Sequence, residues 1–261
     1  MDEEILYCRK EREGDIAWAE ITLNRPDKGN ALTIQMLASL EDLLLKIRED
    51  RSIRAVVMRG NGRFFCTGGD IAAWGNLSPT EMARDWILRG IQIFALISSL
   101  PQVVIAGISG HALGGGLELA LAADLRIGVR QAKFGTPEVT LGMIAGWSGV
   151  RRLAETIGIA RARQLTLLGL AIPAEQALQW GLITAIADDG PGMEAEIDRW
   201  LERLLSNGPI AMELTKGLLA TMHQDACHHH AAAAATALMT EDCKEGVLAF
   251  REKRKPIFRN F

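Results

Sequence analysis

The run Ile16 to Leu23, Ile-Ala-Trp-Ala-Glu-Ile-Thr-Leu, carries a strand pattern, and Asn24-Arg25-Pro26 turns the chain after it. Apolar residues then fall at Met36, Leu37, Leu40, Leu43, Leu44 and Ile47 with charges between them. That is helical spacing, and Thr33 stands where a cap belongs. Ala55-Val56-Val57-Met58 reads as a buried strand. A helix near Glu81 to Leu96, the run Val103 to Ile108, a helix after Gly115 and the run Leu125 to Val129 continue the alternation. Strand and helix in turn predict an α/β core with parallel pairing. Beyond Pro173 the pattern is mostly helical, interrupted by Leu182 to Ile186. After the breaker Asp188-Asp189-Gly190-Pro191-Gly192 it predicts helices nearly to the end, two of them separated by Asn207-Gly208-Pro209.

Two glycine-rich stretches end apolar runs and open helices: Phe65-Cys66-Thr67-Gly68-Gly69-Asp70 and His111-Ala112-Leu113-Gly114-Gly115-Gly116-Leu117-Glu118. Glycine at such a point lets backbone N–H groups approach a ligand that a side chain would block, and the helix start adds positive potential. Two such groups aimed at one oxygen stabilise negative charge developing on a carbonyl. Glu118, three residues after Gly115, shares its helical face and stands ready for proton transfer. The same residues also suit close helix–strand packing and a first-turn acid that complements the helix dipole. Glu138, in Gly135-Thr136-Pro137-Glu138, is a second candidate carboxylate or a solvated loop residue.

Composition narrows the class. The 261 residues are 48% apolar, enough for a large core, and 29 basic against 32 acidic side chains leave a net charge of −3. That balance argues against a nucleic-acid binder or a polybasic membrane protein. The acidic start Met1-Asp2-Glu3-Glu4 and the lack of a long apolar run predict a soluble, cytoplasmic chain. Cys8, Cys66, Cys227 and Cys243 lack paired spacing and read as free packing residues. His223, Cys227 and His230 share one face if their helix is continuous, a weak metal-site pattern with nothing nearby to complete it. His111 reads as structural rather than as a base.

These motifs resemble the crotonase, or enoyl-CoA hydratase/isomerase, superfamily over essentially the whole chain. The resemblance rests on Asn24-Arg25-Pro26 with Asn30-Ala31-Leu32, on Gly62 to Ile71, on Gly110 to Ala120 and on Phe134 to Glu138. It continues in Ala177 to Ile183, Lys244 to Phe250 and Lys253-Arg254-Lys255-Pro256. It implies a crotonase-like ββα spiral core over 1–205 and a helical C-terminal trimerisation region over 206–261, hence a homotrimer or a hexamer built as a dimer of trimers. It implies that Gly69 and Gly115 supply oxyanion-hole N–H groups, and that Glu118 and Glu138 form the acid/base pair. Arg25, Lys28, Ala31, Thr67, Gly68, Asp70 and Ile71 would meet the acyl-CoA thioester. Thr67 would offer its carbonyl to the adenine amino group, and Asp70 would hold its loop in shape or cap a helix. Coenzyme A enters as part of the substrate, with no separate cofactor and no metal.

The implied activity is reversible hydration of a 2-enoyl-CoA to a 3-hydroxyacyl-CoA, a lyase reaction. Two carboxyls facing one water suit it, and closeness with burial makes them share a proton. A double-bond isomerase, a hydrolase or lyase on an unusual acyl-CoA, and a non-catalytic acyl-CoA-binding subunit are the alternatives. The segment Leu141 to Gly149 departs from the family pattern, with Ala145 for a common proline and Trp147-Ser148 for smaller residues. Trp147 therefore shortens the acyl pocket, stacks on an aromatic acyl group, or is a core tryptophan. The tail cations Arg251, Lys253, Arg254, Lys255 and Arg259 either meet CoA phosphates or stay solvated.

Overall fold

Alternate burial of Ala17, Ala19, Ile21 and Leu23 fixes β2 (Ile16–Leu23) against the core, and β1 (Ile5–Arg12) pairs antiparallel along its outer edge. The computed structural model describes residues 3–12, 16–220, 236 and 238–261. The residues His223, Cys227 and His230 lie outside them. Thr33 accepts a hydrogen bond from the Met36 N–H at 3.0 Å and starts α1 (Ile34–Glu49), whose predicted stripe of Met36, Leu37, Leu40, Leu44 and Ile47 is buried.

From β3 (Ile53–Gly60) onward the chain repeats a unit of two strands and helix. The first strand of each unit enters a large sheet and the second enters a small one. After β3 and β4 (Phe64–Cys66) come α2 (Ile71–Trp74), α3 (Pro79–Glu81), a π-helical turn over Met82–Leu88 and α4 (Arg89–Ser99). After β5 (Val103–Ile108) and β6 (His111–Leu113) comes α5 (Gly115–Ala122). After β7 (Leu125–Val129) and β8 (Lys133–Gly135) come a 3-10 turn over Pro137–Leu141, then α6 (Gly149–Ile157) and α7 (Ile159–Leu167). The chain closes through β9 (Ala171–Pro173), α8 (Ala174–Trp180), β10 (Ala185–Ala187), α9 (Gly190–Leu205), α10 (Pro209–Ala220) and α11 (Glu241–Glu252).

The large sheet has the order β1-β2-β3-β5-β7-β10 and the small sheet β4-β6-β8-β9. All pairs from β2 to β10 across the large sheet are parallel, as the strand–helix alternation predicts. β3 is buried on nearly every residue, which is why it reads as an unbroken apolar run. The single helix predicted near Glu81 to Leu96 is instead α3, the π turn and α4 in succession. The breaker at Asp188 to Gly192 proves to be a helix start: Asp189 caps α9, and Met193, Ile197, Leu201 and Leu205 form its buried stripe.

Asn30 is a knot the hydrophobic pattern does not reveal. Fully buried in the left-handed region at φ +55°, it donates through Nδ2 to the carbonyls of Asn61, Phe64 and Phe65 at 2.9, 2.8 and 3.2 Å. Its Oδ1 accepts from the Arg25 N–H at 2.8 Å. The neighbouring Cys66 thiol is sealed in and reaches the Asn30 carbonyl at 3.2 Å; burial pushes its pKa up to about 12. No helix among the described residues is long and apolar enough to cross a membrane.

Candidate active site

β4, β6 and β8 run parallel, with one register shift between Phe64 and Cys66, so their C-terminal ends deliver three loops to one edge of the small sheet. These ends surround a cavity of about 120 Å³. Thr67, Gly68 and Gly69 reach it from β4, Gly114, Gly115 and Glu118 from β6, and Pro137 and Glu138 from β8. The first loop is anchored to the turn before α1: Leu32 donates to the Gly68 carbonyl at 2.8 Å, and Asp70 donates to the Leu32 carbonyl at 2.8 Å. Leu32 and Gly69 thus form a parallel bridge, which turns the Gly69 N–H away from Leu32. The Gly115 N–H opens α5, where first-turn donors have no partner within the helix. A methyl group at Gly68 would lie 3.1 Å from the Gly115 nitrogen, so the two loops touch.

Glu118 is 2% exposed in the first turn of a helix whose eight residues are all buried. Its Oε1 accepts two backbone hydrogen bonds, from Trp147 at 2.8 Å and from Gly149 at 2.6 Å. Ser148 between them sits in the left-handed region at φ +67°, which folds the chain into a small nest of N–H groups around that oxygen. Burial raises the Glu118 pKa to about 7; the two N–H groups pull it down, and the Glu138 charge pushes it up again.

Glu138 lies in the 3-10 turn over Pro137–Leu141, and both of its carboxylate oxygens are buried with no hydrogen-bond partner among the described residues. Burial raises its pKa as well. Its Oε1 passes over Gly114, where a methyl group would stand 3.0 Å away. With φ +55° and ψ −132°, Gly114 occupies backbone space that side chains avoid. Two carboxyls whose burial resists ionisation therefore face one cavity.

Asp70 caps α2 through the Ala72 N–H at 3.0 Å, and the Arg25 guanidinium beside it holds its carboxyl below the usual range. Arg25 also donates to the Ala31 carbonyl at 2.6 Å and pairs with Glu4. Arg25, Lys28, Ala31 and Asp70 thus lie outside the lining of the cavity, whereas Ile71 stands at its mouth, 55% exposed, with Leu141 and Ile144. Trp147 is buried among Trp86 and Phe94 and also edges the cavity. Met143 and Gly146 of the Leu141 to Gly149 segment also line it, and Trp74, Trp86 and Ile87, not singled out from the sequence, complete it; the turn over Met82–Leu88 that presents Trp86 and Ile87 has no sequence signature. His111 accepts the Lys133 N–H at Nδ1 (3.1 Å), a structural bond. In the tail, Arg254 is neutralised by Glu245 and Glu252, while Arg251, Lys253, Lys255 and Arg259 are exposed.

The family model described as enoyl-CoA hydratase/isomerase matches residues 13–260. A crotonyl-CoA hydratase of Syntrophomonas wolfei is 36% identical over 245 residues, covering 92% of this chain and 94% of that protein. An (E)-benzylidenesuccinyl-CoA hydratase of Thauera aromatica is 37% identical over 248 residues, covering 92% and 95%. The crystal structure of an enoyl-CoA hydratase from Bacillus anthracis superposes with a TM-score of 0.92 at 32% identity, over 99% of this chain and 100% of that one. The repeated ββα architecture is the crotonase fold, and the chain belongs to the enoyl-CoA hydratase/isomerase family. It is an enzyme of the hydratase-like lyase class.

Proposed function

We propose that the chain catalyses reversible addition of water across the double bond of a 2-enoyl-CoA, giving a 3-hydroxyacyl-CoA. The observation that carries the reading is the presence, on one cavity, of two buried carboxyls with raised pKa beside two adjoining glycine loops. In this reading the thioester oxygen accepts from the Gly69 and Gly115 N–H groups, which stabilise the charge pushed onto it as the enolate forms. The ionised member of the Glu118–Glu138 pair takes a proton from water while the water oxygen bonds to the β-carbon. The π electrons of the double bond move toward the carbonyl, and the protonated member delivers its proton to the α-carbon. The pair ends with one proton, as it began. Coenzyme A enters with the substrate, and the Thr67 carbonyl receives its adenine amino group.

The Syntrophomonas and Thauera relatives, both hydratases, support water addition over the alternatives. Incubation with 2-enoyl-CoA thioesters, followed by loss of the conjugated absorbance and product mass, tests it. A water adduct that disappears in both Glu118→Gln and Glu138→Gln is expected. A shifted double bond that survives Glu118→Gln identifies an isomerase, and free thiol identifies a hydrolase.

A further inference from the structure

The two glycines proposed to flank the thioester oxygen are each covered by an indole ring. A methyl group at Gly69 would lie 2.6 Å from Cζ2 of Trp86, and one at Gly115 would lie 2.5 Å from Cζ3 of Trp147. Both rings also line the cavity that holds Gly69, Gly115, Glu118 and Glu138, so they wall it on the side where these glycines carry no side chain. We infer that Trp86 and Trp147 form the closed end of the acyl cavity and restrict the substrate to short acyl groups of about four carbons, a size the cavity volume sets. The inference rests on the acyl-CoA reading of this site.

The rings are locked rather than mobile. They are 4% and 3% exposed, lie 5.0 Å apart at 52°, and Trp147 also meets the Phe94 ring at 5.2 Å and 70°. The Trp147 Nε1–H donates to the Trp86 carbonyl at 3.1 Å, a buried bond that a swing of the ring would leave unsatisfied. Trp147 also lies flat over Gly90 in α4, where any side chain would overlap the indole. The π-helical turn over Met82–Leu88 presents Trp86 and its neighbour Ile87 together to the cavity.

Volume then sets the limit. The cavity holds about 120 Å³, below the roughly 150 Å³ of an engineered protein cavity that just accepts benzene, and part of it must take the thioester carbonyl itself. On this volume a four-carbon enoyl group is expected to be accommodated better than a phenyl-bearing or eight-carbon group. Because the Trp147 backbone N–H also holds Glu118, one residue sets both the reach of the pocket and the position of a carboxyl.

Calorimetric binding of butyryl-CoA and octanoyl-CoA, neither of which has a double bond to hydrate, tests the inference without turnover. The native protein is expected to bind butyryl-CoA at least about tenfold more tightly, and Trp147→Leu and Trp86→Leu to shrink or reverse that ratio by a similar factor. Equal affinities in the native protein overturn the inference, as does an unchanged ratio in variants whose circular dichroism shows them folded. If neither variant folds, the native ratio decides alone. Chain-length-selective binding without hydration of crotonyl-CoA overturns the hydratase reading and leaves this one standing; failure to bind either thioester overturns both.

Discussion

The two carboxyls of the cavity are the same chemical group in opposite settings. Glu118 belongs to a helix with no exposed residue and is gripped at one oxygen by two N–H groups from a turn twenty-nine and thirty-one residues further on. Glu138 belongs to a short 3-10 turn with no fully buried residue, and among the described residues no other residue donates to its oxygens. The Glu118 carboxyl is gripped from outside its own segment; the turn of Glu138 is held through its backbone, by Pro137 and by the Met143 N–H that donates to the Glu138 carbonyl at 3.0 Å. In the proposed reaction Glu118 is the fixed member of the pair, and Glu138 is the one whose oxygens are left for substrate and water.

The strongest way to break this comparison is to neutralise each carboxyl. Gln at 118 keeps an oxygen for the Trp147 and Gly149 donors, so Glu118→Gln should fold normally and lose hydration by about a thousandfold; Glu138→Gln should lose a comparable factor. Steady-state kinetics on crotonyl-CoA reads both, and full activity in either variant removes that residue from the reaction.

Acid–base linkage sharpens the contrast next. From the ordinary carboxylate range up to about 7, the folded chain keeps a proton on Glu118 that the unfolded chain has released, so this group makes stability fall as pH rises through that window. The loss amounts to at most about 3 kcal/mol. Urea midpoints measured from pH 5 to 8 should therefore decline more steeply in the native protein than in Glu118→Gln; parallel curves would show that Glu118 ionises normally.

Gly149→Ala acts on one carboxyl alone, because the added methyl would overlap Cγ of Glu118. Activity is expected to drop by about a hundredfold, on the scale of a misplaced catalytic group, while Glu138 keeps its setting. Ser148→Gly should do least. It removes left-handed strain while loosening the unfolded chain, and the two effects leave stability within about 1 kcal/mol of native. A large loss of activity in Ser148→Gly would show that the nest depends on the serine side chain rather than on backbone shape.

How much of this was legible in the sequence depended on what each segment buries. β2, α1, β3, β5 and β7 announce themselves because one face or both faces are apolar, and the glycines before Glu118 mark a helix start that a ligand approaches. β1 does not, because after Ile5 every residue of it is exposed and its place is set mainly by backbone pairing with β2. β4, β6, β8 and β9 span three residues each, too short for any period. The turn over Met82–Leu88 differs from an α-helix by one hydrogen-bond step, which leaves no mark on seven residues, so Trp86 stayed hidden. The grip on Glu118 needed a left-handed Ser148, and serine does not advertise that conformation.

The sealed thiol of Cys66 gives the molecule an internal clock. It sits one residue before Thr67, with a pKa pushed up to about 12, while Cys8 lies exposed on β1. A thiol reagent at neutral pH should therefore modify Cys8 at once and Cys66 only when β4 separates from its neighbours. The slow alkylation rate of Cys66 then measures how often the edge that carries the candidate-site loops breathes open, and bound acyl-CoA should slow it.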